Sequence, residues 1–513
     1  MFRTAELGQK IPKREFQQRE PVLRQELLEV QARLRASGSF PVIIVFAGVD
    51  GAGKGDTVNL LNEWMDPRWL ITKAYDKPSD EERERPEYWR FWRALPPKGR
   101  IGLFLSSWYS RPVLDRVHEN IGEQKFDNRL DRILSFEKDL ADDGALILKF
   151  WMHLGHQVQK KRLKKLEKDP LTSWRVTQRD WDHWQLYEHF VAAAERTIMR
   201  TSTGLAPWYI VEGEDPAYRS LTVGTIIRDA INRHLEEVEK QKAAAAALRE
   251  AGPATPAVTG DEPEGEVSSQ LPMKTVLSTL DMSLQLTKAD YKKQLQEYQA
   301  RLNLLHRKAL KQKVSTILVF EGADAAGKGG AIRRVTAALD ARHYQVLPIA
   351  APTDEERAQH YLWRFWRHLS RDGRITIFDR SWYGRVLVER IEGFASEDEW
   401  KRAYAEINDF EEQLTDHGII LLKYWVHITK DEQLARFEAR EQTPHKRWKL
   451  TDEDWRNREK WDDYGLAVND IVEYTSTHTA PWVLVEGNDK RFARIKVIST
   501  LCDRMEAALD SKK

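Results

Sequence analysis

Apolar and polar positions alternate in blocks along the second half of the chain. Short runs rich in β-branched and aromatic residues fall at 316–320, 345–349, 374–379, 419–426 and 482–486. Longer stretches of helical composition separate them, at 327–339, 354–370, 398–416, 430–442 and 452–473. Short apolar runs bounded by turn residues predict buried strands, and their alternation with helices predicts an α/β fold: a parallel sheet flanked by helices. The last two helical stretches form an insertion before the fifth strand. Each starts on an N-cap pattern, Thr429-x-x-Glu432 as a capping box and Thr451-x-x-Asp454 as a weaker version. Trp448, Trp455 and Trp461 fall in this insertion at near-helical spacing, which predicts packing before ligand stacking.

The first half repeats the pattern. Gly48 and Gly322 are separated by 322 − 48 = 274 positions. The same offset pairs Pro78 with Pro352, Trp89 with Trp363, Tyr109 with Tyr383, Phe136 with Phe410, and His153 with His427. It still holds at Trp174 with Trp448 and at Trp208 with Trp482. Such register without a gap identifies a tandem duplication of one domain. The expected organisation is an N-terminal helical arm at 1–40, a first domain at 41–235, a linker at 236–273 and a second domain at 274–513. The linker expectation rests on Pro, Gly and acidic residues with few large apolar side chains.

Composition narrows the class. The 513 residues carry a net charge of +1, so no global field favours nucleic acid or a membrane surface. The one cysteine, Cys502, cannot form an internal disulfide. Met1-Phe-Arg-Thr-Ala-Glu lacks an apolar signal core, and the apolar runs fall far short of the ~20 residues a membrane helix needs. A cytoplasmic protein is expected, and the sequence leaves homo-oligomer formation open.

The chemistry starts at Glu321-Gly-Ala-Asp-Ala-Ala-Gly-Lys-Gly-Gly330, between an apolar strand and a helical stretch. Gly322 and Gly327-Lys328 have the GxxxxGK spacing of a phosphate-binding loop. There the backbone N–H groups of Gly322, Ala326, Gly327, Gly329 and Gly330 and the helix N-terminus would face an anion, and Lys328 adds a point charge. Gly329 stands where a Ser or Thr hydroxyl usually holds Mg²⁺, so Asp324 inside the loop is the candidate to replace it. A second cluster, Asp379-Arg-Ser-Trp-Tyr-Gly-Arg385, follows the third apolar run. Ligands of open α/β sheets bind at the carboxyl ends of strands, which puts Asp379 beside the loop as a second Mg²⁺ ligand. Arg380 and Arg385 can clamp phosphate oxygens. Arg333, Arg357, Arg364, Arg440, Lys446 and Lys449 add more cations than a mononucleotide requires, pointing to a longer anion.

Together, the loop, Asp379-Arg-Ser-Trp-Tyr-Gly-Arg385 and His445-Lys-Arg-Trp-Lys449 closely resemble the polyphosphate kinase 2 family. The tandem form is similar to its two-domain class, the polyphosphate:AMP phosphotransferases. The resemblance implies tandem P-loop kinase-like domains with a helical lid, inorganic polyphosphate as donor, AMP as acceptor, ADP as product and Mg²⁺ as cofactor. It implies Asp324 and Asp379 as the essential acids, Lys328 as the loop lysine and Arg380 and Arg385 as phosphate-binding arginines. It also implies Arg440, Lys446 and Lys449 as lid cations. The first repeat departs from this pattern: Leu105 and Ser106 replace Asp379 and Arg380, and Leu166, Thr172 and Ser173 replace Arg440, Lys446 and Arg447. Asp50 and Lys54 remain, so the first domain is expected to be degenerate.

Three rivals stay open on residues alone. An ADP-to-ATP kinase using polyphosphate differs only in the acceptor, and an ATP-dependent nucleotide kinase only in the donor. Gly329 and the surplus of cations disfavour the latter. A polyanion-binding protein without activity is disfavoured by the two retained acids, since unmetallated carboxylates weaken such binding.

Overall fold

The structure, a computed structural model, describes residues 1–250, 275–444, 447 and 450–511. Ten strands form two five-stranded sheets. The first holds β1 (Val42–Gly48), β2 (Leu70–Ala74), β3 (Ile101–Leu105), β4 (Leu146–His153) and β5 (Trp208–Glu212). The second holds β6 (Thr316–Gly322), β7 (Tyr344–Pro348), β8 (Ile375–Asp379), β9 (Ile420–His427) and β10 (Trp482–Glu486). The orders are β2-β3-β1-β4-β5 and β10-β9-β6-β8-β7. All strand pairs are parallel. Each central strand is covered on both faces, which is why its sequence reads as a continuous apolar run instead of alternating.

The chain gathers into two compact units. Unit 1 comprises Met1–Pro78, the described residues of the first repeat from Arg90 onward, and Asp354–His360. Unit 2 comprises Ser79–Trp89 and the second repeat without that segment. Each unit therefore includes a short piece from the other repeat. In unit 1 the arm is ordered: the helix Lys13–Ser37 buries Leu23, Leu27, Val30 and Leu34 along the helix Pro216–Glu250. In unit 2 the helices Lys288–Gln312 and Lys490–Asp510 cover one face of the sheet. They bury Leu302, Leu305, Leu501, Cys502 and Met505 in a core shared with Leu318, Phe320 and Ile377.

Four expectations change. The helix Pro216–Glu250 runs through residues 236–250 of the expected linker. The alanine run Ala243–Ala247 has the highest helix propensity and extends it; the rest of the linker, to Met273, lies outside the described residues. The stretch 354–370 is two single turns, Asp354–Arg357 and Trp363–Trp366. The second turn buries Trp363, Phe365 and Trp366, and the residues between the two turns, 358–362, are not helical. The stretch 452–473 likewise breaks at Lys460 into Asp452–Glu459 and Trp461–Thr475. The capping strengths are reversed as well. Asp454 accepts from both the backbone N–H and the hydroxyl of Thr451, at 2.9 and 3.0 Å. Glu432 instead takes Arg436 Nε at 2.6 Å, so the Thr429 hydroxyl still accepts from the Glu432 N–H while the Thr429 N–H donates to Asn488 Oδ1 at 3.0 Å. Among the described residues no helix is long and apolar enough to cross a membrane.

Candidate active site

The loop after β6 is shaped by close backbone approach. Gly322 has φ 146°, and a Cβ there would fall 2.3 Å from the Val426 carbonyl oxygen, so no side chain fits. Ala325 holds φ 62°, a left-handed conformation that costs an alanine energy, as is common where a loop is built for function. The loop turns at Gly327 into the helix Lys328–Thr336, whose first turn leaves N–H groups without intrahelical partners. Lys328 Nζ donates to the Gly322 carbonyl at 2.6 Å, holding its charge over the loop mouth.

Two buried groups that the sequence reading missed brace this loop from beneath. Arg436 donates to the carbonyls of Ala325 and Ala326 at 2.9 and 2.8 Å, and to those of Gly487 and Asn488 at 2.7 and 2.9 Å. Burial pulls its pKa down, opposed by Glu432. Gln433 donates to the Asp324 carbonyl at 3.2 Å. Comparing the repeats could have pointed to both, since Gln159 and Arg162 stand at the matching positions of the first.

Asp379 ends β8 opposite Phe320 of β6, which brings it to the loop as expected. Asp324 is fixed from two sides: Arg380 Nη2 reaches Oδ1 at 3.2 Å and Asn457 Nδ2 reaches Oδ2 at 2.7 Å. Arg380 adopts φ 66° and its N–H is tied to the Phe320 carbonyl at 3.0 Å, so its direction is set by the backbone. Ser381, Trp382 and Tyr383 of the motif turn into the interior. The Ser381 hydroxyl donates to buried Glu321 at 2.7 Å. Trp382 Nε1 and the Tyr383 hydroxyl both donate to Glu411 Oε1, at 3.0 and 2.8 Å. Lys423 completes this fully buried network, 2.7 Å from Glu411 Oε2. Burial pushes the Glu411 carboxyl up and the Lys423 ammonium down; their mutual attraction opposes both shifts. Burial also pushes the Glu321 carboxyl up, against the Ser381 hydroxyl and the charges of Lys328 and Arg380.

Two adjoining cavities result. A polar cleft is lined by the loop from Asp324 to Gly330 with Arg333, Asp379, Arg380, Arg440 and Asp454. A largely apolar cavity of about 110 Å³ lies against Leu387, Trp425, His427, Trp461, Tyr464 and Val468. A single water needs only ~10–15 Å³ of such space, so this cavity is of ligand size. Asp324 and Arg380 line both. Burial pushes the His427 imidazole down to about 4, so it is neutral near pH 7.

The cleft thus gathers Gly322's loop, Ala326, Gly327, Lys328, Gly329, Gly330, Arg333, Asp324, Asp379, Arg380 and Arg440. It does not gather Arg385, Arg364 or Arg357. Arg385 pairs with Glu389 at 3.1 Å and lies 4.6 Å over the Tyr361 ring. Arg364 donates to the Ala350 carbonyl at 3.0 Å. Arg357 pairs with Asp354 in the segment that groups with unit 1. Lys446 and Lys449, with His445 and Trp448, lie outside the described residues.

Hard oxygen donors suit a divalent cation here. No hydrogen bond reaches the Asp379 carboxylate among the described residues, and it shares the cleft with Asp324. Among the described residues no group of three or more His, Cys, Asp or Glu could hold a metal by itself. Asp324 and Asp379 could still contribute one carboxylate each to a hard divalent cation that takes its other ligands from phosphate and water.

In unit 1 the same backbone carries different chemistry. Ser106 repeats the left-handed conformation of Arg380, at φ 58°, and Lys54 donates to the Gly48 carbonyl at 2.7 Å. His183 Nδ1 lies 2.7 Å from Asp50 Oδ2, where unit 2 has Asn457 on Asp324. Burial would raise the Asp50 pKa, but the His183 hydrogen bond and Lys54 hold it below the usual range.

The family model for polyphosphate kinase 2 matches this chain over residues 10–241 and 285–513. A polyphosphate:AMP phosphotransferase of Pseudomonas aeruginosa is 52% identical over 513 residues, covering 100% of both chains. One from Acinetobacter johnsonii is 38% identical over 95% of this chain and 96% of its own. A crystal structure described as polyphosphate kinase 2 from Pseudomonas aeruginosa superposes with a TM-score of 0.87 at 50% identity, covering 100% of both chains.

Proposed function

The chain belongs to the polyphosphate kinase 2 family, and on that premise we propose that unit 2 transfers the terminal phosphate of inorganic polyphosphate to AMP. The products are ADP and a polyphosphate one unit shorter. The observation that carries this reading is the pair Asp324 and Arg380, which lines both the cation-rich cleft and the apolar cavity. An extended anion fits the first and a nucleoside the second, so the two phosphates meet at that pair. The full-length relatives named for this reaction support it.

Phosphoryl transfer asks for positioning and charge neutralisation more than covalent help. The terminal phosphate of the donor lies on the loop N–H groups, with Lys328, Arg333 and Arg440 around it. The nucleoside of AMP packs among Trp425, His427 and Trp461. An oxygen of the AMP phosphate forms the new bond to the terminal phosphorus. The old bridging P–O bond breaks, and its electron pair leaves with the shortened chain. That AMP oxygen is already ionised near pH 7, so no general base is needed. Asp324 and Asp379 would hold Mg²⁺, whose charge offsets that of the phosphates. Unit 1 lacks the strand-end acid and is catalytically silent.

Purified protein with AMP, Mg²⁺ and long-chain polyphosphate, followed for ADP, tests the reading. ADP should form from AMP, with a slower rate on ADP as acceptor and little product with ATP as donor. A faster rate on ADP, or an equal rate with ATP, overturns it.

A further inference from the structure

A one-turn 3-10 helix precedes the first long helix of each repeat, Phe2–Ala5 in unit 1 and Val276–Thr279 in unit 2. The first lies against the end of β4, the second against the helix Trp461–Thr475. In unit 1 Phe2 is buried, and its ring is stacked on His153 with centroids 4.5 Å apart and planes 8° from parallel. It also lies 5.9 Å from the Trp151 ring. The matching pair in unit 2, Trp425 and His427, lines the apolar cavity, and the 3-10 helix contributes Leu277 to the same wall. Val276 N–H donates to Asn469 Oδ1 at 2.9 Å, which fixes that turn on the helix Trp461–Thr475. Unit 1 therefore stacks a flat ring on its histidine, whereas in unit 2 Leu277, one residue past the position that matches Phe2, lines a cavity together with the tryptophan and histidine.

A flat ring stacked on an imidazole is also how a nucleobase would pack there. We propose that Leu277 is a specificity-determining residue of the acceptor site, forming the wall on which the nucleoside packs beside Trp425 and His427. In unit 1 the ring of Phe2 already covers the face of His153, so unit 1 takes no nucleotide. The proposal rests on the reading of the apolar cavity as the nucleoside site, and the two can fail separately.

The test is steady-state kinetics on the full chain with AMP and polyphosphate varied in turn. Leu277→Phe, which puts an aromatic ring into the cavity lining, should raise KM for AMP by about tenfold or more. Its polyphosphate requirement should stay unchanged. Leu277→Ala removes the wall without adding bulk and serves where the larger residue impairs folding. It should raise KM for AMP about threefold to tenfold, again without moving polyphosphate. Trp461→Ala, on the opposite wall, probes the cavity itself. If it raises KM for AMP while neither Leu277 variant does, the role of Leu277 is overturned and the cavity reading stands. If none of the three moves KM for AMP, the cavity is not the nucleoside site and both readings fall. Equal effects of the Leu277 variants on AMP and polyphosphate mark general distortion and overturn the proposal as well.

Discussion

Asn457 donates its side-chain N–H to Asp324 Oδ2 across 2.7 Å, from the helix Asp452–Glu459 to the loop after β6. It fixes one carboxylate oxygen while Arg380 holds the other. A partner that orients a metal-binding carboxylate typically matters ~10–100-fold. Asn457→Ala should lower kcat/KM by about that much and raise the Mg²⁺ concentration needed for half-maximal rate. An unchanged Mg²⁺ requirement would show that Asn457 does not act through Asp324.

Catalysis should be confined to unit 2, because only there does a strand-end acid face the loop. Lys328→Ala and Asp379→Asn should each reduce turnover by about a hundredfold or more, the scale of a lost transition-state contact. Lys54→Ala should leave most activity. Turnover abolished by Lys54→Ala in a folded protein, with Asp379→Asn active, would place the chemistry in the wrong unit.

The buried pair Lys423 and Glu411 supports the turn that carries Arg380, through Trp382 and Tyr383. Lys423→Met strands a carboxylate in the core and should cost about 3–5 kcal/mol by denaturant unfolding. The double variant Lys423→Met with Glu411→Leu should recover much of that stability. A double variant as unstable as the single one would show that the network contributes more than its charge balance.

His306 gives a pH signature. Burial and the neighbouring His343 push its pKa down to about 4, from an ordinary value of 6.5. A folded-state pKa below the unfolded one means stability present above pH 6.5 and lost progressively as pH falls toward 4. His306→Leu should therefore flatten the fall in Tm between pH 7 and pH 5, measured by differential scanning calorimetry. Parallel curves for the two proteins would refute the assignment.

The strands of unit 2 were legible to within one or two residues because a sheet buried on both faces demands unbroken apolar runs. The loop glycines, Lys328, Asp324 and Asp379 were legible because strand ends and helix starts fix where they point. Direction was lost beyond that. Arg385 lies one turn past Arg380, in the 3-10 helix Trp382–Val386, and that turn aims it at Glu389 and Tyr361. Arg364 and Arg357 fall on two short turns that sequence periodicity joins into one helix. Asn457 gave no signal, since it is a neutral side chain in a charged helix and the first repeat has His183 instead. Within its own repeat Arg436 gave no signal either, because a helical arginine's four carbonyl partners lie on two separate loops that sequence spacing does not bring together.

Unit 1 keeps the buried ammonium in full. Lys149 reaches Glu137 at 2.6 Å, the Tyr109 hydroxyl at 3.0 Å and the Thr201 carbonyl at 2.7 Å, matching Lys423 contact for contact. The acid at the mouth has gone, yet the charges in the interior have stayed. A solvent-facing carboxylate can be exchanged with little harm to folding, whereas half of a buried ion pair cannot be dropped in a single step. The two halves thus share one chassis and differ in its fittings: Leu105, Ser106, Leu166, Thr172 and Ser173 stand where the second repeat carries charge, while the interior ion pair is common to both.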